Sequence, residues 1–516
     1  MPRRAPAAPA LVVGSGPNGL AAAVTLARAG RSVTVLEAAP RAGGAVATEE
    51  LTLPGFAHDT FSAVHPAGAA SPVFASLPLH EHGLRWVHPE ACYAHPLPDG
   101  RGVALYRDLD RTGASLDRLG AGEGDRWRAF AGPLVARFGA LRRTFLSGFP
   151  PLAGPAALAL GLGLTDTLEL VRVALTSAEA FGRELFRQPG SRAWLYGSAL
   201  HGDVSLDAPG SAITAVYLNL LGHGAGWPSP QGGAGRLAEA LVSYLAQLGA
   251  TVRTGAEVTS VVARRGRVEG VRLAGGEFVA GSIVIADVLP GALVALAGDA
   301  FPISYRRALG RYRLGPATLK VDWALDGPIP WTSDEARRAG TIHVGGGEGE
   351  LLAAGPPGGD LPERPFVLLG QQTLADPTRA PAGKHTAWGY THGPASADWA
   401  AVGAAHVERM EAQIERFAPG FRDLVLARHV LAPGDLQRRN ANLVAGDVTG
   451  GSYALDQLVF RPVPSLIPYR TPVRGLYLGS AAAFPGGAVH GVPGRAAARV
   501  ALAEARVARL PLPVRR

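Results

Sequence analysis

Cysteine is nearly missing from this sequence: Cys92 stands alone. That excludes an intrachain disulfide and a thiolate-built metal centre, and it fits a reducing, cytoplasmic compartment. Lysine is almost as scarce, with only Lys320 and Lys384, although the formal net charge is +8. The basic side chains are nearly all arginine, in short pairs such as Arg264-Arg265 and Arg438-Arg439 without interleaved aromatics, which argues against nucleic acid as a partner. A generally basic surface is the plain reading of the charge, and attraction to anionic lipid is the sharper one. A clean apolar run long enough to cross a bilayer is also lacking. The longest uncharged stretch, Phe145 to Thr165, is broken by Pro150, Pro151, Pro155 and four glycines, which would strand backbone groups in lipid. Peripheral contact with the inner face of a membrane is the expectation for it. The Arg- and Pro-rich tail Met1 to Pro9 leaves no room for an apolar signal region.

What is present is a chain of 516 residues, 47% hydrophobic, with 68 glycines and 42 prolines in no collagen-like period. That allows a large core and more than one domain. Leu11 to Val13 reads as a buried strand, Asn18 to Ala29 as an Ala-rich helix and Ser32 to Leu36 as a second strand, which together make a βαβ unit. Periodicity fades into loops near Ala70, and helical patterns dominate from Asp125 to Arg187. A helix over Arg236 to Leu248 and strands at 251–253, 258–264, 268–273 and 282–286 resume the α/β pattern. A strand at Ala317 to Leu325, strands among loops over 340–393 and a helix over 401–417 follow, before a last strand, 475–478, and a helix over 494–508.

Gly14-Ser15-Gly16-Pro17-Asn18-Gly19 lies between the first strand and its helix, where a dinucleotide fingerprint belongs. Gly14 allows the tight turn, Gly16 the approach of a pyrophosphate and Gly19 close packing of helix on strand. The phosphates then lie at the helix N-terminus. Glu37 ends the second strand, placed to accept from a ribose diol. Ala38 and Arg41 follow, then the pair Gly43-Gly44, a second close backbone approach that is useful only to a cofactor extending further along the protein. FAD does so. Gly345 to Gly349 reads as a loop outside any strand–helix setting, so no second dinucleotide site is expected and electrons leave to oxygen or a quinone.

From this point the sequence resembles the FAD-dependent amine oxidase and phytoene desaturase superfamily, which carries the same acid followed by R-x-G-G. The C-terminal run Gly475 to Ser480, then Phe484 to Gly494, looks like the closing motif of its phytoene dehydrogenase-like branch, the group that includes pyridine nucleotide-disulphide oxidoreductase domain-containing proteins. Pro230-Gln231-Gly232-Gly233 and the stretches Arg461-Pro462 and Tyr469 to Pro472 resemble the same branch. The resemblance implies that Gly479, Ser480, Gly487, Ala488 and Val489 meet the flavin end of FAD, and that Val258 lies by the adenine. Two departures stand out: Gly479-Ser480 replaces the acid usual in amine oxidases, and Ala483-Phe484 replaces Thr-His.

The expected fold is α/β: a Rossmann-type FAD-binding domain assembled from discontinuous segments (1–75, 230–300 and 440–516), with an inserted mixed α+β substrate domain (76–229 and 301–439) whose helical part, 125–187, touches the membrane. The resemblance implies removal of a hydride from a C–H bond of an apolar, isoprenoid- or carotenoid-like substrate. A flavin amine oxidase and an FAD-holding scaffold with little turnover are the alternatives. The acid–base candidates are His58, His201 and Lys320, the last because flavin amine oxidases carry a lysine in such a strand; a strand-end surface lysine is its plainer reading. His65 and His490 read as structural hydrogen-bonding residues. No metal is expected.

Overall fold

The computed structural model describes residues 9–355 and 359–507; the tail Met1 to Ala8 and the expected helix end Ala508 lie outside them. Five parallel strands form one sheet, in the order Leu476–Leu478, Ile283–Ala286, Ala10–Val13, Val33–Leu36, Thr251–Arg253. Strand Ala10–Val13 lies at its centre, paired in register with Ile283–Ala286 on one side and Val33–Leu36 on the other. All four of its residues are buried, as a parallel strand covered on both faces requires. The sheet is thus built from both ends and the middle of the chain. Helix Pro17–Arg28 packs on it with Ala21, Ala22 and Ala23 fully buried, and these small side chains let the final helix, Val492–Val507, lie close alongside. A Cβ on Gly494 would collide with the Asn18 carbonyl.

The second sheet has seven strands, in the order Val425–Leu431, Ala317–Leu325, His385–Gly393, Val367–Gly370, Ala339–Val344, Ala91–Pro96, Gly102–Leu105. Its pairings are antiparallel except that of Ala339–Val344 with Ala91–Pro96. The strands at 91–96 and 102–105 correct the expectation of loops there. Every residue of both is buried, so neither shows the alternation that betrays a half-buried strand. One face of this sheet, with Leu319, Val321, Trp323, Ile342, Val344 and Leu369, packs beneath helix Trp399–Glu415 as an apolar core. The opposite face carries Thr318, Lys320 and Asp322, joined in register by His392, Tyr390 and Trp388.

The region 125–187 is helical as expected, in Glu123–Val135, Phe138–Phe145, Ala153–Leu162, Leu164–Leu175 and Ala178–Leu185. Among the described residues no helix is long and apolar enough to cross a membrane. Gly345 to Gly347 do sit between a strand and a helix, contrary to the loop reading. However, that helix, Glu348–Ala353, is one and a half turns long and opens with Glu348 and Glu350, which repel phosphate.

Candidate functional site

The two glycine turns expected to share one cofactor touch each other. Gly14 has φ +94, and a Cβ there would press on the Asp287 carbonyl at 3.2 Å; one on Gly44, at φ +55, would stand 2.8 Å from the Gly16 Cα. The R-x-G-G loop therefore lies directly on the first glycine turn. Gly43 N–H donates to Ser15 Oγ at 3.2 Å. Helix Pro17–Arg28 begins with Gly16 as a bare N-cap, without a side-chain cap or an acid in its first turn. Pro17 has no N–H and that of Gly19 is held by Asp287 Oδ2, so the Asn18 N–H is left for an anion, and the buried Asn18 Oδ1 beside it has no partner. Glu37 accepts from Ser15 N at 2.8 Å, Ser15 Oγ at 2.6 Å and Ala39 N at 2.9 Å. The main chain of Glu37 bonds to Arg253 and Ala256, which brings it beside the strand that starts at Val258. Ala38 and Arg41 are exposed at the rim.

The C-terminal turn completes the cradle. Gly479 N–H donates to the Ala286 carbonyl, and a Cβ at Gly479 would lie 2.8 Å from Ile285 and 3.3 Å from the Gly494 Cα. Ser480 is buried. Gly487 N–H donates to Tyr453 Oη at 3.0 Å. Ala488 and Val489 both hold positive φ, +87 and +54; for a β-branched residue this is a true outlier, costing on the order of 1–3 kcal/mol and found where surrounding structure imposes it. Val489 lies against Gly68, and Ser71 Oγ donates to the His490 carbonyl, tying the turn to the segment after the R-x-G-G loop. Bare helix N-terminus, Cβ-free cradle and orphaned polar atom together fit a dinucleotide.

A residue missed from sequence sits under the first turn. Asp287 follows strand Ile283–Ala286 as Glu37 follows its own, and its Oδ2 accepts from Gly19 N at 2.8 Å. Burial pushes its carboxyl up to about 7, against the pull of that hydrogen bond and with a further push from Glu37.

The acid–base candidates fall into two groups on the polar face of the seven-stranded sheet. Lys320 is buried mid-strand, which removes the surface reading, and its Nζ donates to both oxygens of Asp322 at 2.5 Å. His58 lies beside this pair, with Nδ1 3.7 Å from Asp322 and Nε2 at 2.7 Å from Thr52 Oγ1. Burial, then the Lys320 charge, lowers it to about 3, so it is neutral. Its neighbour Asp59 pairs with the buried Arg379 at 2.9 Å. His65 bonds Ser62, and His490 accepts from Val492 N at the head of the last helix, both as structural groups. His201 lies apart from this network: its Nε2 is 2.8 Å from His343 Nε2, and burial lowers it to about 3. Lys320 and His58 are thus brought together, and His201 is not.

A family model described as flavin containing amine oxidoreductase matches residues 18–502. The chain belongs to that family. As a flavin containing amine oxidoreductase it is an FAD-dependent oxidoreductase. It is 31% identical to the rat (Rattus norvegicus) pyridine nucleotide-disulfide oxidoreductase domain-containing protein 2, over 95% of this chain and 92% of the relative. It is 23% identical to a limonene dehydrogenase polypeptide of Castellaniella defragrans, over 93% and 91%. Among solved structures, an oxidoreductase from Methanosarcina mazei has the same fold, with a TM-score of 0.65, 18% identity and coverage of 95% and 99%. This member of the family therefore has the fold and cofactor that its glycine turns implied.

Proposed function

We propose that this oxidoreductase removes a hydride from a C–H bond of an apolar, isoprenoid-like substrate. The observation that carries this reading is an exposed apolar stripe on the helical region. In helix Leu164–Leu175, Leu164, Leu168, Val171 and Leu175 form one stripe, 51–76% exposed, and Leu160 on the preceding helix is 88% exposed. Such a stripe suits the headgroup boundary of a membrane. Among the neighbouring helices, Phe138, Leu141, Arg142, Phe145, Leu146, Tyr217, Leu220 and Leu221 line a small, mostly apolar crevice of about 10 Å³. The relative named for limonene, a monoterpene hydrocarbon, lends the same support.

In this reading Gly14, Gly16, Pro17, Asn18 and Gly19 hold the FAD diphosphate, Glu37 and Ala38 the ribose, and Val258 the adenine. Arg41, Gly43, Gly44, Gly479, Ser480, Gly487, Ala488 and Val489 enclose the remainder. FAD supplies the hydride acceptor, with oxygen or a quinone as the final one; the protein orients the C–H bond and excludes water. The division into 1–75, 230–300 and 440–516 for FAD and 76–229 and 301–439 for substrate belongs to the reading as well. It is supported by the five parallel strands falling in the first set and the seven mixed strands in the second. The test is anaerobic mixing of holoenzyme with isoprenoids of graded chain length. Bleaching of the oxidised flavin band is expected; if none bleaches it while a primary or secondary amine does, the reading fails.

The amine oxidase reading keeps one observation in its favour, a buried lysine in the strand where that chemistry uses one. Its Nζ is already held by Asp322. Under that reading Lys320→Met slows reoxidation of the reduced flavin by oxygen, and an unchanged rate removes it.

A further inference from the structure

His201, Tyr390 and His392 lie deep inside the protein yet keep accessible surface, so they line an internal void. Tyr390 and His392 project from one strand with ring centroids 5.3 Å apart, and His201 faces them from the turn after helix Pro189–Ala199. Tyr453, which bonds the Gly487 turn, has the same deep but accessible character. The void therefore adjoins the proposed flavin end of the cradle. Its wall is not that of a hydrocarbon tunnel. Tyr390 Oη and His201 Nδ1 have no hydrogen-bond partner among the described residues, and both open into the space.

The charged groups around the wall are held by the fold, although Arg461 Nη1 is without a partner among the described residues. The Lys320 and Asp322 side chains neutralise each other. Asp447 accepts from the main-chain N–H groups of Gly315, Thr449 and Gly451, and Asp203 from that of Tyr453. Arg461 donates to the Gly450 carbonyl and to Tyr312. Burial lowers His201 to about 3 and His392 to about 4, so both imidazoles are neutral. At the Tyr390–His201 end the polar atoms that lack partners belong to neutral groups, and a buried hydroxyl or carbonyl would find partners there and would leave without them if transferred to an apolar wall.

We propose that the substrate carries a neutral oxygen function, a hydroxyl or a carbonyl, on its otherwise apolar skeleton, and that Tyr390 and His201 recognise it. The inference rests on the hydride-removing reading above and sharpens its substrate class. Holoenzyme is titrated anaerobically with matched pairs of an isoprenoid alcohol and the hydrocarbon lacking its hydroxyl, following binding by tryptophan fluorescence and reduction by flavin absorbance. The alcohol of the best-fitting length is expected to bind about tenfold tighter, the weight of roughly one neutral hydrogen bond. Tyr390→Phe and His201→Leu should collapse that preference toward unity, while His201→Asn, which keeps a hydrogen-bonding atom near the Nδ1 position, retains part of it. FAD content and thermal melts verify that each variant is folded. Equal binding of both partners overturns the inference and leaves the hydride reading intact provided that both bleach the flavin. If neither bleaches it and an amine does, the hydride reading falls and the inference with it.

Discussion

The two faces of the seven-stranded sheet share every strand and differ in what covers them. Beneath helix Trp399–Glu415 the inward residues are apolar and fully packed, with Trp323 edge-on to Phe421 and its Nε1 donating to Glu411 at 2.9 Å. On the other face, Lys320, Asp322, Tyr390, His392 and His343 are just as deep, but His343 Nδ1, His392 Nε2 and Trp388 Nε1 have no partner. Fully packed apolar walls stabilise a fold. Buried polar groups left unpaired cost free energy and persist where function holds them, which supports the proposal that the second face serves chemistry and the first stability.

Two substitutions should break this division with the largest effects. Trp323→Ala, on the packed face, is expected to cost about 3–5 kcal/mol in denaturant unfolding. Lys320→Met, on the other, leaves Asp322 as an uncompensated buried carboxylate and should cost a similar amount, about 3–5 kcal/mol. The double change Lys320→Met with Asp322→Leu removes both charges and should recover most of the loss. The two single variants separate by pH. Burial already pushes Asp322 up to about 6 in the presence of Lys320, whose charge pulls it down. Without Lys320 the carboxyl titrates higher still, so the penalty should shrink as the pH falls, while that of Trp323→Ala should not move.

The parallel sheet offers the same contrast on a smaller scale, between its apolar strands and the buried Asp287 at their end. Its folded-state value of about 7 stands above the 3.8 of an ordinary aspartate, so the fold favours the protonated acid. The contribution is complete below about pH 4 and is lost as the pH rises toward 7. A diphosphate bound at the same turn disfavours the carboxylate further. FAD affinity of the apoprotein should therefore fall as the pH rises through neutrality, with proton uptake visible by calorimetry in buffers of different ionisation heat. Asp287→Asn should flatten both dependences; a wild-type affinity independent of pH would refute the linkage.

The cradle is legible in the sequence because backbone geometry requires glycine: positive φ at Gly14, Gly43 and Gly44 and Cβ-free contact at Gly16, Gly479 and Gly494 leave no alternative residue. Its shape follows from turn, helix and acid at fixed spacing. The polar sheet face is harder to read, although Trp388, Tyr390 and His392 alternate with Ala387, Gly389 and Thr391 and so announce a strand with an aromatic, polar side. His201 and His343 meet across 142 residues of chain, a juxtaposition that no local pattern encodes. Lys320 stands out in the sequence by its rarity, and its partner two residues on, Asp322, lies on the same side of the strand by simple period-two geometry.

The smallest expected effect sharpens the comparison most. Tyr390→Phe deletes one hydroxyl from a buried ring, and in a packed core such a deletion usually removes a hydrogen bond and leaves its partner unsatisfied, at about 1–3 kcal/mol. Tyr390 Oη has no such partner among the described residues, and the space beside it absorbs the change, so the unfolding free energy should move by less than about 0.5 kcal/mol. A loss in the larger range would mean that the hydroxyl supports the sheet, and the two faces would then differ in polarity without differing in purpose.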